Sequence, residues 1–171
     1  MLEINNPARY KSDKIISYKK AIDLITKLKS QNKKVGLCHG GFDLLHPGHI
    51  RHLESARKLC DALFISVTSD KFVALGKGAG RPIYTDKLRA YMIASIRFVD
   101  YVVISDFETA IEAIKLLKPD YYIKGQDYIK SKIPAITAER EAVASIGGSI
   151  RYTNDPKLAT TSIISYIKEN L

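Results

Sequence analysis

His46 and His49 sit three residues apart in the segment Gly40-Gly41-Phe42-Asp43-Leu44-Leu45-His46-Pro47-Gly48-His49. The segment joins a short apolar run, Val35-Gly36-Leu37-Cys38, to a stretch in which Ile50, Leu53, Ala56 and Leu59 recur at helical spacing. A helix opening there offers unpaired backbone N–H groups and a partial positive charge. The glycines Gly40, Gly41 and Gly48 admit a phosphate close to the backbone, and imidazole donors follow charge that develops on a bridging oxygen. This is chemistry suited to a polyphosphate. Asp43 either anchors the loop by hydrogen bonds or holds a magnesium ion. Two other readings of the histidines stay open: capping or core residues, or a metal cluster of His46, His49 and His52. No acidic residue partners the three at a known zinc spacing.

Further along, Gly76-Lys77-Gly78-Ala79-Gly80 places a cation in a glycine-rich stretch of the kind a closing loop needs, although a solvated cationic turn has the same composition. Thr160-Thr161-Ser162 opens the last expected helix. Its hydroxyls and N–H groups can face a phosphate or serve as a simple N-cap.

The elements that must position these residues alternate regularly. Helical periodicity runs from Ser17 to Ser30 and through the stretch after Pro47; Asp86 caps a helix through Ser95, and further helices span Glu108 to Leu117, Thr137 to Ile146 and Thr160 to Glu169. Between them stand near-continuous apolar runs at 35–38, 62–67, 101–104, 121–123 and 149–152. The expected fold is α/β: a doubly wound, five-stranded parallel sheet of Rossmann-like type in one domain, 1–171, with residues 1–32 as an N-terminal helical extension. Ligands in such sheets bind beyond the carboxyl ends of the strands, so the site belongs in the segments that follow them.

Composition narrows the classes. A hydrophobic fraction of 46% with 26% charged residues describes an ordinary globular chain that buries a core. The net charge of +9 attracts polyanions, but the lysines are scattered and lack the interleaved aromatics of a single-stranded nucleic-acid platform, so no nucleic-acid partner is expected. No cationic segment with an apolar stretch opens the chain and no run of about 18 apolar residues occurs, so neither a membrane partner nor export is expected, and the location is cytoplasmic. Cys38 and Cys60 show no CxxC spacing and read as free core thiols.

Gly41-Phe42-Asp43 followed by His46-Pro47-Gly48-His49 resembles the signature of the cytidylyltransferase-like nucleotidyltransferase superfamily. The likeness extends through Asp61–Asp70, Lys77-Gly78-Ala79-Gly80-Arg81-Pro82, Leu88-Arg89 and Lys124-Gly125-Gln126-Asp127-Tyr128, and covers roughly residues 33 to 168. It implies that His46, His49 and Lys77 are catalytic, contacting the triphosphate and stabilising departing pyrophosphate. It also implies that Gly40, Gly41, Phe42, Asp43, Gly48, Arg89, Gly125, Asp127, Thr160, Thr161 and Ser162 bind the nucleotide, and that Asp70 and Arg81 serve the acceptor. Asp127 has a second reading as a turn cap. No protein-held metal is expected; magnesium comes with the triphosphate.

The segments Gly80-Arg81-Pro82-Ile83, Lys124–Tyr128 and Gly147-Gly148 look most like the adenylyltransferase domain of ADP-heptose synthases. This implies transfer of AMP from ATP to a heptose 1-phosphate-like acceptor. The alternative is CTP with glycerol phosphate, but relatives of that kind carry an arginine just before the Ser/Thr-rich turn, where this chain has Asn154-Asp155-Pro156-Lys157-Leu158-Ala159 and only Lys157 to stand in. A nucleotide-binding module without turnover is the reading of another class. Class I aminoacyl-tRNA synthetases share a related histidine motif, but the chain is short for one and lacks their Lys-Met-Ser-Lys-Ser loop. Family habit also implies a homodimer, with the N-terminal helix as a candidate to pack across its interface, and a separate kinase supplying the sugar phosphate.

Overall fold

The computed structural model describes residues 10–156 and 158–170; Lys157, the stand-in for the missing arginine, lies outside them. In chain order the elements are α1 (Tyr18–Ser30), β1 (Val35–Gly40), α2 (Pro47–Arg57), β2 (Ala62–Thr68), α3 (Asp70–Lys77), α4 (Asp86–Ala94), β3 (Tyr101–Ser105), α5 (Ala110–Leu117), β4 (Tyr121–Gly125), α6 (Pro134–Ser145), β5 (Ser149–Thr153) and α7 (Thr160–Asn170), with a short 3-10 turn at Gln126–Tyr128. The strands form one parallel sheet in the order β3-β2-β1-β4-β5. The doubly wound parallel sheet expected from the alternation is therefore present.

Each face of the sheet buries its own core. Val35, Leu37, Phe64, Val103 and Tyr122 pack against Ala21 and Ile25 of α1, Ala110, Ile114 and Leu117 of α5 and Val143 of α6. On the other face, Cys38, Leu63, Ile65, Val67, Val102 and Ile123 meet Leu53 and Ala56 of α2 and Ala90 and Ile93 of α4. β2 is buried over its whole length, which is why it reads as an uninterrupted apolar run. Chain connections reverse direction between β1 and β4, so a crevice opens at the carboxyl ends of those two strands.

The N-terminal segment is built into this layout. Ile16 donates its N–H to the Val102 carbonyl at 2.9 Å and Val102 donates to that of Lys14 at 2.8 Å, running the chain along the outer edge of β3. The apolar stripe of α1 is spent on its own core, and its buried residues are therefore not offered to a partner chain.

Several boundaries differ from the sequence reading for local reasons. Thr85, not Asp86, caps α4, because its hydroxyl accepts the Leu88 N–H at 3.4 Å; Asp86 is the first helical residue. Thr109 caps α5, which starts at Ala110, two residues later than expected, and α6 starts earlier, at Pro134, whose fixed φ suits the first helical position. α3 was not expected at all. It buries Val73 alone, too little to show as a periodic stripe, and its glycines read as loop. β1 also extends past Cys38 to Gly40.

Candidate active site

A cleft of about 330 Å³ lies at the carboxyl ends of β1, β4 and β5, within the usual range for small-ligand sites. His39 to Asp43, the first turns of α2, Lys77, the end of β4 and the β5–α7 segment line it.

The turn after β1 is held by Asp43, which is almost wholly buried. Its Oδ1 accepts the Ile83 N–H at 2.8 Å, its Oδ2 pairs with the Arg81 guanidinium, and its carbonyl accepts the Thr160 hydroxyl at 3.0 Å. The residues on either side, Phe42 and Leu44, have φ of 47° and 58°. Left-handed backbone at two non-glycine residues costs energy and persists because the buried Asp43 contacts hold the turn. Of the two roles open for Asp43, the geometry supplies the anchor: its carboxylate is engaged by Arg81 and Ile83.

The turn delivers His46 to the N-cap of α2, where its Nδ1 accepts the His49 N–H at 3.4 Å and Pro47 takes the first helical position. One helical turn then stacks the two imidazoles, with centroids 3.8 Å apart and planes 22° from parallel, and Phe42 meets the His49 ring edge-on at 5.4 Å. Gly48 makes room. A Cβ there would lie 3.1 Å from the His46 ring and 3.0 Å from Leu158 Cβ. Burial lowers the pKa of both histidines, to about 3 for His49, where the neighbouring charges of His46, His52 and Lys77 push the same way. The pair is neutral at pH 7, and a bound polyanion would raise both values. His52 turns to Thr153, Nδ1 to Oγ1 at 2.8 Å. No three His, Cys, Asp or Glu among the described residues are grouped to hold a metal ion.

Lys77 lines the cleft as the last residue of α3 rather than from a glycine loop, and burial, then Arg81, lowers its pKa. Gly40, Gly41, Phe42, Asp43, Gly48, Gly125, Asp127 and Thr160 line it too. The Asp127 carboxylate folds back over Gly125, where a Cβ would stand 2.6 Å from its Oδ1.

Five expected residues are elsewhere. Arg89 is fully buried behind the turn, donating to the Gly41 carbonyl, to that of Tyr84 at 3.0 Å and to Asp70 Oδ1 at 2.7 Å. That pairing takes Arg89 and Asp70 away from the cleft, and the Asp43 pairing does the same for Arg81; none of the three lines it. In each pair one charge is fully buried, Arg89 in the first and Asp43 in the second, and it claims the other. Thr161 and Ser162 are exposed on α7 and also stand outside.

The cleft also holds residues to which the sequence reading gave no role. His39 has both ring nitrogens engaged, Nδ1 with Ser66 Oγ and Nε2 with Thr68 Oγ1, each at 3.2 Å, and burial lowers its pKa to about 4, with Lys124 adding to the shift. Lys124 pairs with Glu139 at 2.6 Å and lies 4.4 Å over the Tyr128 ring. Thr153 comes from the end of β5 and Asp155 from the segment just past it. The one available signal was their position just before or after a strand end.

Residues 37–166 match the family model described as cytidylyltransferase-like. Among curated proteins, the chain is 43% identical over 69% of its length to the bifunctional protein HldE of Campylobacter jejuni strain RM1221, covering 26% of that protein. It is 39% identical over 86% of its length to HldE of Aliarcobacter butzleri, covering 29%, and 37% identical over 97% of its length to HldE of Campylobacter fetus, covering 34%. The chain thus spans about a quarter to a third of the length of these relatives. Its fold is similar to that of a lipopolysaccharide core biosynthesis protein from Thermoplasma volcanium (TM-score 0.60, 22% identity, 74% of this chain and 99% of that one). It is also similar to the fold of pantoate–β-alanine ligase from Francisella tularensis (TM-score 0.55, 14% identity, 90% and 76%). A family match over most of the chain, on a sheet whose crevice is lined by the histidines of the motif, shows that this protein belongs to the cytidylyltransferase-like family of nucleotidyltransferases.

Proposed function

We propose that the chain transfers AMP from magnesium-bound ATP to a sugar phosphate of the heptose 1-phosphate type and releases pyrophosphate. The observation that carries this reading is the stacked His46–His49 pair at the N-terminus of α2, with Lys77 lining the same cleft. An oxygen of the acceptor phosphate attacks the α-phosphorus, the bond to the bridging oxygen breaks, and pyrophosphate departs with that electron pair. Positioning and fixed donors suffice, and no side chain acts as nucleophile. His46, His49, Lys77 and the first N–H groups of α2 bear on the charge that grows on the leaving oxygens. Bound to the triphosphate, magnesium would neutralise part of its charge, leaving the rest to His46, His49, Lys77 and the α2 N–H groups.

The family match and the HldE relatives support the choice of reaction and acceptor. No described helix is long and apolar enough to cross a membrane, and we place the reaction in the cytoplasm, with a kinase supplying the sugar phosphate. The test is pyrophosphate release from ATP or CTP with magnesium and either heptose 1-phosphate or glycerol 3-phosphate. Release with ATP and the heptose phosphate is expected. Release with CTP and glycerol phosphate would overturn the choice of substrates, and triphosphate binding without release with any phosphorylated acceptor would leave a binding module.

A further inference from the structure

The cleft has two sides, set by the two faces of the sheet. α2, with His46 and His49, packs on the face that buries Cys38 and Ile123. Side chains alternate along a strand, so His39 on β1 and Lys124 on β4 fall on the opposite face, the one that buries Leu37 and Tyr122 beneath α1, α5 and α6. Lys124 accordingly pairs with Glu139 of α6 at 2.6 Å and lies 5.3 Å over the Tyr122 ring. In-line displacement sets the attacking and leaving oxygens on opposite sides of the α-phosphorus. With the leaving oxygens over the α2 N-terminus, the acceptor comes from the side that His39 and Lys124 line.

That side is polar but carries little net charge. Glu139 cancels the Lys124 ammonium, and burial holds His39 neutral while its ring nitrogens engage Ser66 and Thr68. A neutralised pair attracts an anion weakly, whereas a hydroxyl gains a hydrogen bond from an ammonium already fixed in place. Glu139 takes one of the three N–H donors of Lys124. The Tyr122 and Tyr128 rings, 5.3 and 4.4 Å away, attract its charge without accepting a conventional hydrogen bond, so among the described residues the ammonium keeps donors for a ligand. A largely buried ion pair is a poor source of stability, and here it sets a donor in the cleft wall.

We propose that Lys124 donates a hydrogen bond to a hydroxyl on the sugar body of the acceptor, and so selects polyhydroxylated acceptors. This rests on the transferase reading of the cleft and adds to it a residue that sets acceptor affinity. Nucleotide hydroxyls and the acceptor phosphate compete for the same ammonium, and three measurements separate the possibilities.

The first is pyrophosphate release by the full chain with ATP and magnesium against rising heptose 1-phosphate. The second is ATP affinity by calorimetry without acceptor, and the third is inhibition of release by inorganic phosphate. Lys124→Met combined with Glu139→Gln removes both charges together and leaves no buried ion unpaired. In this double variant KM for the acceptor should rise roughly tenfold or more, as for loss of a hydrogen bond to a charged group, and kcat should change less. ATP affinity and phosphate inhibition should stay close to those of the unsubstituted protein. An unchanged KM would overturn the inference and leave the pair structural. A loss of ATP affinity equal to the rise in KM would overturn it in favour of the nucleotide, and phosphate inhibition weakened by that factor would overturn it in favour of the acceptor phosphate. In all three cases the unsubstituted protein still turns over, so the transferase reading stands. No release from the unsubstituted protein with heptose 1-phosphate would overturn both. Lys124→Arg keeps the charge and the Glu139 partner but displaces the donors, so it should raise KM with little change in melting temperature. An unchanged KM in that variant overturns the inference even if the double variant does not fold.

Discussion

His46 caps the helix on which His49 stands, accepting the His49 N–H at Nδ1, and the two rings stack 3.8 Å apart. One imidazole is thus both a structural cap and a wall of the cleft, and its partner is positioned by the helix that the cap begins. The two roles come apart under substitution.

His49→Ala should lower pyrophosphate release by about 10²-fold or more and leave the melting temperature nearly unchanged, because it removes a donor but no cap. His46→Ala should show a comparable loss of turnover together with about 1 kcal/mol of stability. His46→Asn restores a capping side chain, so it should recover the stability and not the activity. Turnover assays paired with thermal melts read both quantities; full activity in His46→Asn would remove that imidazole from the chemistry.

Gly48→Ala places a methyl group 3.1 Å from the His46 ring and 3.0 Å from Leu158 Cβ. The ring must shift, and overpacking of this size costs about 1–3 kcal/mol. Turnover should fall several-fold, since the ring to which the proposed chemistry assigns a donor must give by a few tenths of an ångström. Urea titration alongside the assay separates the two losses.

Arg89 shows no exposure and joins Asp70, Gly41 and Tyr84. Arg89→Ala leaves two carbonyls short of a donor and a cavity where a fully buried side chain stood, while the partly exposed Asp70 is taken up by solvent, and should destabilise the fold by about 2–4 kcal/mol. Arg89→Lys should not rescue it, because one ammonium does not reproduce a fork that reaches three acceptors. Denaturant midpoints check this: an unchanged midpoint with weakened nucleotide binding would return Arg89 to a ligand-contacting role.

His39 and His49 have pKa values lowered by burial from 6.5 to about 4 and about 3. Below pH 6.5 the unfolded chain binds protons that the folded chain refuses, so these groups contribute full stability above pH 6.5 and less as the pH falls toward 4. Each refused proton is worth up to about 1.4 kcal/mol per pH unit in that window. Stability measured between pH 7 and 5 should therefore fall with acid, and the slope should be shallower in His39→Asn. A slope equal to that of the unsubstituted protein would show that His39 titrates normally.

The local chain determined a good deal of this protein. Alternating apolar runs and helical stripes specify a parallel sheet because strands buried on both faces and amphipathic crossovers have no other stable arrangement. The turn from β1 into α2 was legible for a similar reason: glycines, a cap and Pro47 act within ten residues. Where a feature depended on few local contacts it stayed hidden, as with α3, which buries one side chain. Tertiary structure alone decided who partners whom. Arg89, Arg81 and Asp70 have the residue types of ligand-binding groups, yet pairings across 19 to 48 positions of chain turn them into supports of the turn. Asp155, His39 and Lys124 reach the cleft because the sheet order sets β4 and β5 beside β1. Strand order is set by long-range packing, and a linear pattern of residue types carries no record of which distant charge arrives first.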